Sequence, residues 1–550
     1  MDPSSLPPFF SACVCSQQEA LRRIVKSRTT IASGFATSEP VPFYTQLWEF
    51  IREQDITDLC IRQALFMAPH ALCVGDALRA TGLGSVGARL SAMPVIGPMA
   101  GATDKAVRKL DGLRRLIEHY RELRQRRIRF VSGFLGPMSN IVVPDNRMTR
   151  MLYADEAGRN PTRAGLVDMQ SVHFAEGVGA IGFDADDRPK VDAFVMGMSA
   201  PNSQGEMSHG PANGGNGDIL DRILAGRDVD LLLYINGSYP FTRGWNDARN
   251  TVNVSEFESL ARAGRLCVVV DDYAIPALPA GSFDDPSPAE TAIAEHVANH
   301  IEMNPGFTVG RALQVGIGTT GVLAIRALAG SSWHGRGYSE MLEPYCLGLF
   351  ESGKIEGSHF IRKDGRRVAL DGKMVCTFSM GMAGSDFYKK LDNNPGVVIA
   401  PASRVVIPEA FYGGLGINNC LSIDFQGHVN SAGRDKNHHS GIGGAAMIHR
   451  GLARGGTGYL CMKSTHRTPE GELRSSIFPF LPQGTPISHI GPDIMGGRES
   501  SRFFLVTEHG VALVSGKSQS EYIQAVISVS DPRFRDSLKR AAWREFRVTA

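Results

Sequence analysis

The chain has 550 residues, 43% apolar and 21% charged, with a formal net charge of +2. That is too long for one hydrophobic core and most naturally makes two domains. The near-neutral balance argues against nucleic acid as a partner, and no apolar run approaches the ~18 residues of a membrane span.

In chain order, the N-terminus shows no secretory pattern, since Asp2 is acidic and prolines follow. Nine scattered cysteines without a CxxC pair suit a reducing compartment. The expectation is a cytoplasmic protein, with Arg22, Arg23, Lys26 and Arg28 leaving a mitochondrial presequence as the alternative. An arginine-rich helix is expected from about Asp104 to Phe130, its charge balanced by Asp111, Glu118 and Glu122, or else a landing surface for a polyanion. Strands are expected at Ile128–Val131, Val191–Val195, Leu231–Tyr234 and Leu266–Val270.

The proline- and glycine-rich stretch from Asp271 to Pro288 cannot continue a strand or helix and marks a boundary near 285. The expected domains are therefore 1–285 and 286–550. Ser287, Pro288 and Glu290 form a capping box, and Ile293, Val297 and Ile301 give the helix that follows one buried stripe. Further strands are expected at Ala312–Val315, Val397–Ala400, Val405–Ile407 and Phe503–Val506. Short β-branched runs alternating with amphipathic helices in both halves point to an α/β class, two open sheets covered by helices with a site between them.

Leu313-Gln-Val-Gly-Ile-Gly-Thr-Thr-Gly321 carries an apolar run into a glycine turn and then into the helix-like Val322–Leu328. About twenty residues on stands Glu340, in Gly337-Tyr-Ser-Glu-Met341. The turn satisfies GxGxxG, with Glu340 near the place of a ribose-binding acid, so a dinucleotide-dependent oxidoreductase is one reading. Against it, Ser331–Ser339 does not read as a buried strand, and Gly82–Gly87 repeats the pattern as a decoy. The other reading is an anion hole beside a nucleophilic carboxylate. A regulatory protein that binds acyl-CoA without forming an adduct is a third.

His428, His438, His439 and His449 match no ligand spacing, so no metal is expected. Met380, Met382 and Met447 read as core filling, and no GxSxG elbow is present.

Taken together, the second-half motifs resemble the acetyl-CoA hydrolase/transferase family, whose members are family I CoA transferases. The resemblance is carried by Leu313–Gly318, Gly337–Met341 with Leu349–Ile355, Asp386–Tyr388 with Asp392–Pro395, Ile417–Cys420, Asp424–Ser431 and Gly441–Gly444. Val506–Gly510, Leu513–Lys517 and Asp531–Arg535 extend it over almost all of residues 290–540. Ser33–Phe35 with Pro40–Leu47, and Asn253–Ala274, resemble the first half more loosely. Residues 80–130 depart from the pattern, and Ser464–Ser476 is longer than the family's turn.

The resemblance implies two tandem open α/β/α domains with the active site at their interface, and Glu340 as nucleophile in a covalent glutamyl-CoA route. It implies oxyanion donors in the backbone at Thr319, Thr320, Gly443 and Gly444, and coenzyme A passing Gly316, Gly318, Gly441, Gly443 and Gly444. Acyl-CoA and a small carboxylic acid would be the substrates, acetyl-CoA among the donors, with no bound cofactor and a homodimer as the assembly. Water entering the same site would make it an acetyl-CoA hydrolase. Tyr338, Met341, Trp333 and His334 are expected to line the acyl pocket.

Overall fold

The computed structural model describes residues 6–65, 72, 114–115, 118–134, 167–278, 280–361, 364–434, 437–438, 440–468, 471–496 and 500–550. Gly82–Gly87 and the start of the arginine-rich segment lie outside them. The chain forms two compact units, Met1–Ser171 with Glu176–Ser282 and Met380–Asn394, and Val172–Ala175 with Phe283–Ser379 and Pro395–Ala550.

The first unit is built on seven strands: β1 (Thr30–Ser33), β2 (Cys60–Leu65), β3 (Arg129–Phe134), β4 (Val167–Met169), β5 (Ala193–Ser199), β6 (Asp230–Asn236) and β7 (Leu266–Val270). All pair in parallel, in the order β4-β3-β2-β1-β5-β6-β7. Leu231, Leu232, Leu233, Tyr234 and Ile235 of β6 are all fully buried, the near-continuous apolar run of a sheet covered on both faces. Helices α1 (Gln17–Ile24), α2 (Val41–Glu53) and α3 (Asn216–Leu224) belong to this unit. In α2, Phe43, Tyr44, Leu47 and Ile51 are fully buried. Each contributes about 1.5–3 kcal/mol by burial, which makes this face the anchor of the helix.

The arginine-rich helix ends sooner than the sequence suggests. Described residues up to Gln125 are helical, but Phe130 already belongs to β3, because the run Ile128–Val131 satisfies the sheet core. Its charges are met locally: Arg114 pairs with Glu118, and Arg126 pairs with Glu122 and Asp55.

The second unit holds a six-stranded sheet: β8 (Ala312–Val315), β9 (Arg336–Gly337), β10 (Leu415–Asn419), β11 (Thr457–Cys461), β12 (Arg502–Thr507) and β13 (Gly510–Leu513). The order is β9-β8-β10-β11-β12-β13, parallel except for the β12–β13 hairpin. Its helices are α4 (Pro288–Met303), α5 (Thr319–Gly330), α6 (Pro344–Glu351), α7 (Ala445–Leu452), α8 (Gln519–Ser528) and α9 (Pro532–Phe546). The Ser287–Glu290 capping box at the start of α4 is formed, and Ile293, Val297 and Ile301 are fully buried.

Two strand expectations change. Val397–Ile399 is a strand but pairs with Met374–Cys376 outside the main sheet. Val405–Ile407 is not a strand: a short helix ends at Val405, and Pro408 starts a 3-10 turn. The Val405 and Val406 amides are spent on Pro401 O and Ala402 O, at 3.0 and 2.8 Å, and so are not free for a ladder. Conversely, Ser331–Ser339 does contain a strand, since β9 pairs in parallel with β8. At two residues, one of them glycine and another glycine just before, β9 is too short to appear as an apolar run.

Candidate active site

The chain leaves β8 for α5 and β9 on one side, and β10 lies on the other side of β8. The carboxyl ends of β8 and β10 are thus a topological switch point, where open α/β sheets leave a crevice. The turn Gly316–Gly318 stands at the end of β8, and Asn418 and Asn419 end β10. Asn419 Nδ2 donates to the Ile317 carbonyl at 3.0 Å and ties the two together. Gly318 adopts φ +133°, and a Cβ there would meet Asn419 Nδ2 at 2.6 Å, so both the turn and its packing require glycine. No side chain caps α5, which leaves the amides of its first turn, beginning at Thr319 and Thr320, open to an anion.

Glu340 lies three residues beyond the end of β9. The Tyr338 amide donates to Leu313 O at 3.1 Å, and Ser339 Oγ bridges the backbone N–H and C=O of Val315, at 3.3 Å each. The Thr377 amide holds the Glu340 carbonyl at 3.0 Å. Glu340 is therefore fixed by its backbone beside the strand that feeds the glycine turn.

The side chain is held very differently. Glu340 as a residue is partly accessible, but its Oε2 is enclosed and accepts no hydrogen bond among the described residues. Burial pushes its carboxyl up to about 7, opposed by the Gly444 amide. Gly444 is the N-cap of α7, again with no side-chain cap, and follows Gly443 at φ +60°. A Cβ on Gly444 would collide with Glu340 Oε2 and with Val406 Cγ1, so only glycine lets α7 begin against this carboxylate. Tyr338 fixes the third side, its hydroxyl donating to Val405 O at 2.9 Å, one residue before Val406.

Of the residues expected at the site, Gly444 meets Glu340 directly, and the 316–320 turn is joined to it through Ser339 and Val315. Gly441 is buried in the loop leading to α7. Trp333 and Tyr338 are core residues with satisfied polar atoms, the Trp333 indole donating to Thr308 O at 3.0 Å, while His334 is exposed. Of the histidines, His428 Nδ1 pairs with Asp424 Oδ2 at 3.0 Å, and His449 lies in a buried hydrogen-bonded chain. His439 and the side chain of His438 lie outside the described residues.

A carboxylate with one oxygen enclosed against the uncapped start of α7, beside the strand that feeds a second uncapped helix, is suited to chemistry that passes negative charge from one oxygen to another. The family model described as "Acetyl-CoA hydrolase/transferase C-terminal domain" matches residues 384–542. Residues 384–542 thus carry a domain of the acetyl-CoA hydrolase/transferase type, and the relatives that match the chain are named CoA-transferases.

Among relatives in this CoA-transferase family, the protein named "Probable butyrate:acetyl-CoA coenzyme A-transferase" of Syntrophomonas wolfei is 28% identical over 47% of this chain and 54% of its own length. The "4-hydroxybutyrate coenzyme A transferase" of Clostridium kluyveri is 25% identical over 70% of this chain and 80% of its own. The chain thus spans about half the length of the first relative and most of the second. RipA from Yersinia pestis shares the fold, with a TM-score of 0.68 at 20% identity over 99% of both chains. Val406 and Asn419 are the site residues that sequence reasoning did not single out for a role, although Asn419 stood within a family motif.

Proposed function

We propose that the chain is an acyl-CoA:carboxylate CoA-transferase that works through a glutamyl-CoA thioester on Glu340, with short-chain acyl-CoA donors such as acetyl-CoA. The observation that carries this reading is the enclosed Glu340 Oε2, left without a hydrogen bond in a chain of the CoA-transferase family. Glu409 Oε2 is enclosed and unpaired as well, and what sets Glu340 apart is its contact with Gly444 at the uncapped start of α7.

The ionised carboxylate adds to the thioester carbonyl, and the tetrahedral adduct expels CoA thiolate, leaving a mixed anhydride. The thiolate then attacks the Glu340 carbonyl and displaces the first acid as its carboxylate, giving the glutamyl-CoA thioester. An acceptor carboxylate attacks that thioester, CoA thiolate leaves, and its return to the acceptor's carbonyl frees Glu340 and the new acyl-CoA. Each tetrahedral species carries an oxyanion. In this reading the uncapped amides at Thr319–Thr320 and at Gly443–Gly444 are its donors, and one such donor is worth roughly 2.7–4 kcal/mol. Coenzyme A is substrate here and no resident cofactor takes part. Water in place of the acceptor would give hydrolysis, so closure of the pocket sets the balance.

The test is borohydride trapping after incubation with acetyl-CoA and, separately, butyryl-CoA. Reduction of the thioester to the alcohol removes about 14 mass units from the peptide holding Glu340, the mark of a covalent carboxyl adduct. An unchanged peptide with both donors overturns the nucleophile assignment.

A further inference from the structure

The second unit contains a cavity of about 200 Å3 that this reaction does not use. Its walls come from His173 on the 172–175 segment, Met447 and Arg450 on α7, and Ile487, Ile490 and Asp493 on the turn before β12. Neither Glu340 nor the 316–320 turn lines it. On α7, Arg450 stands about 9 Å along the axis from Gly444 and roughly a third of a turn around it, so the two sites share a helix but not a face.

Ser488 and His489 on its wall are hydrogen-bonded within the chain, whereas the exposed Arg450 and the half-buried Asp493 leave their charges to the cavity. Arg450 has no hydrogen-bond or ion-pair partner among the described residues. His173 Nδ1 is buried and has no hydrogen-bond partner among the described residues. Asp493 carries the opposite charge into the same cavity without pairing to Arg450, and its Oδ2 accepts only the Ile490 amide, at 3.2 Å. Ile487 and Ile490 are 47% and 50% exposed, among the few large apolar side chains of the described residues left open to solvent. A cation and a carboxylate that line one cavity with apolar side chains and do not pair with each other fit a ligand that bridges them. At ~30 Å3 per water, the space equals roughly six waters, room for an organic acid of about six to ten heavy atoms.

We propose that this cavity binds a small organic acid bearing a hydroxyl or ammonium group. Its carboxylate lies on Arg450 beside the His173 ring, its donor group reaches Asp493, and its carbon stem covers Met447, Ile487 and Ile490. The assignment does not depend on the role of Glu340.

Titration calorimetry on the full chain, with 3-hydroxybutyrate, 2-aminobutyrate and butyrate as probes, tests it. One of the first two is expected to bind about tenfold tighter than butyrate, the preference identifying the donor as hydroxyl or ammonium. Arg450→Ala should weaken that binding by about tenfold or more, and Arg450→Lys by less, because the charge remains while the planar fork is lost. Asp493→Asn keeps an oxygen for the Ile490 amide and should erase the preference over butyrate. Glu340→Gln should leave the affinity unchanged, so failure of this site and failure of the nucleophile assignment are told apart. Equal binding of all three acids, no binding of any, or loss of binding in Glu340→Gln with none in Arg450→Ala overturns the proposal.

Discussion

Glu340 and Gly444 are a matched pair: the carboxylate occupies the volume that any Cβ at 444 would need. Gly444→Ala should therefore displace Glu340 or the first turn of α7. A shift of about 1 Å costs on the order of 100-fold in turnover, while circular dichroism of the folded chain stays as it was. Unchanged turnover would mean that the reacting carboxylate does not sit where this contact puts it. The raised Glu340 carboxyl makes a separate prediction about stability. Its folded pKa, about 7, exceeds the ordinary 4.5, so the folded state holds the proton more tightly than the unfolded chain. Stability from this group is full below about 4.5 and is lost as pH rises through 7. Glu340→Gln, neutral at all pH, should match the wild type near pH 4 and exceed it above pH 7 by on the order of 1–3 kcal/mol in urea unfolding. An equal difference at both pH values would mean that the carboxyl is not held in its protonated form.

At the scale of elements, the turn after β8 is braced from behind by a chain of buried hydrogen bonds that joins three elements. Asn418 Nδ2 on β10 donates to Gln314 Oε1 on β8 at 2.9 Å and to His449 Nε2 on α7 at 3.1 Å. With Nε2 accepting, the His449 proton sits on Nδ1 and goes to His489 Nε2 at 2.7 Å. His489 Nδ1 in turn gives its proton to Ser488 Oγ at 2.9 Å, and Ser488 donates to Val429 O, also at 2.9 Å. The sequence of donors works only with both rings neutral. Burial enforces that, holding His449 well below the usual histidine range and His489 down to about 4. These rings resist protonation in the folded state, so their contribution is present above about 6.5 and is lost as pH falls toward 4, the reverse of Glu340. His449→Leu leaves Asn418 and His489 with unmet polar atoms and should cost about 2–4 kcal/mol in denaturant unfolding at pH 7.5. The same variant should lose less stability than the wild type between pH 6.5 and 5. A variant as stable as the wild type at pH 7.5 would show that the chain braces nothing.

For the molecule as a whole, the parts legible in the sequence were those where one local rule dominates. Ser287, Pro288 and Glu290 announce α4 because a cap is chemistry among neighbours, and β6 announces itself through a fully buried apolar run. The central strands β10 and β11 did not, because Leu-Gly-Ile-Asn-Asn and Thr-Gly-Tyr-Leu-Cys mix small and polar residues whose burial only the assembled sheet supplies. Glu340 was legible through a family motif, but the unpaired state of its Oε2 was not, since it depends on α7 about a hundred residues away. His173 gave no signal at all, belonging by sequence to the first half and by packing to the second unit.

The segment Met380–Asn394 makes the converse journey: it lies within the second half of the chain yet packs in the first unit. There the Leu278 amide donates to Gly381 O at 2.8 Å, and the Ala383 amide returns a bond to Leu278 O at 2.7 Å. The Tyr388 hydroxyl donates to Pro276 O at 2.6 Å and accepts from the Gly381 amide at 3.1 Å. Asp392 Oδ1 accepts from the Phe241 amide at 2.7 Å, and the Asn393 amide donates to Phe241 O at 2.8 Å. Phe387 and Leu391 are buried, adding roughly 3–5 kcal/mol that a fragment ending at Ser282 would forgo. Because Leu278 and Gly381 are already paired, a short flexible linker can join residues 1–282 directly to 380–394. The joined fragment should melt at least about 5 °C above residues 1–282 alone, and Tyr388→Phe should remove part of that gain by deleting the hydroxyl's two hydrogen bonds. Equal melting temperatures for the two fragments would mean that the first unit closes its core without the segment, and that its cohesion rests on the seven-stranded sheet and its helices alone.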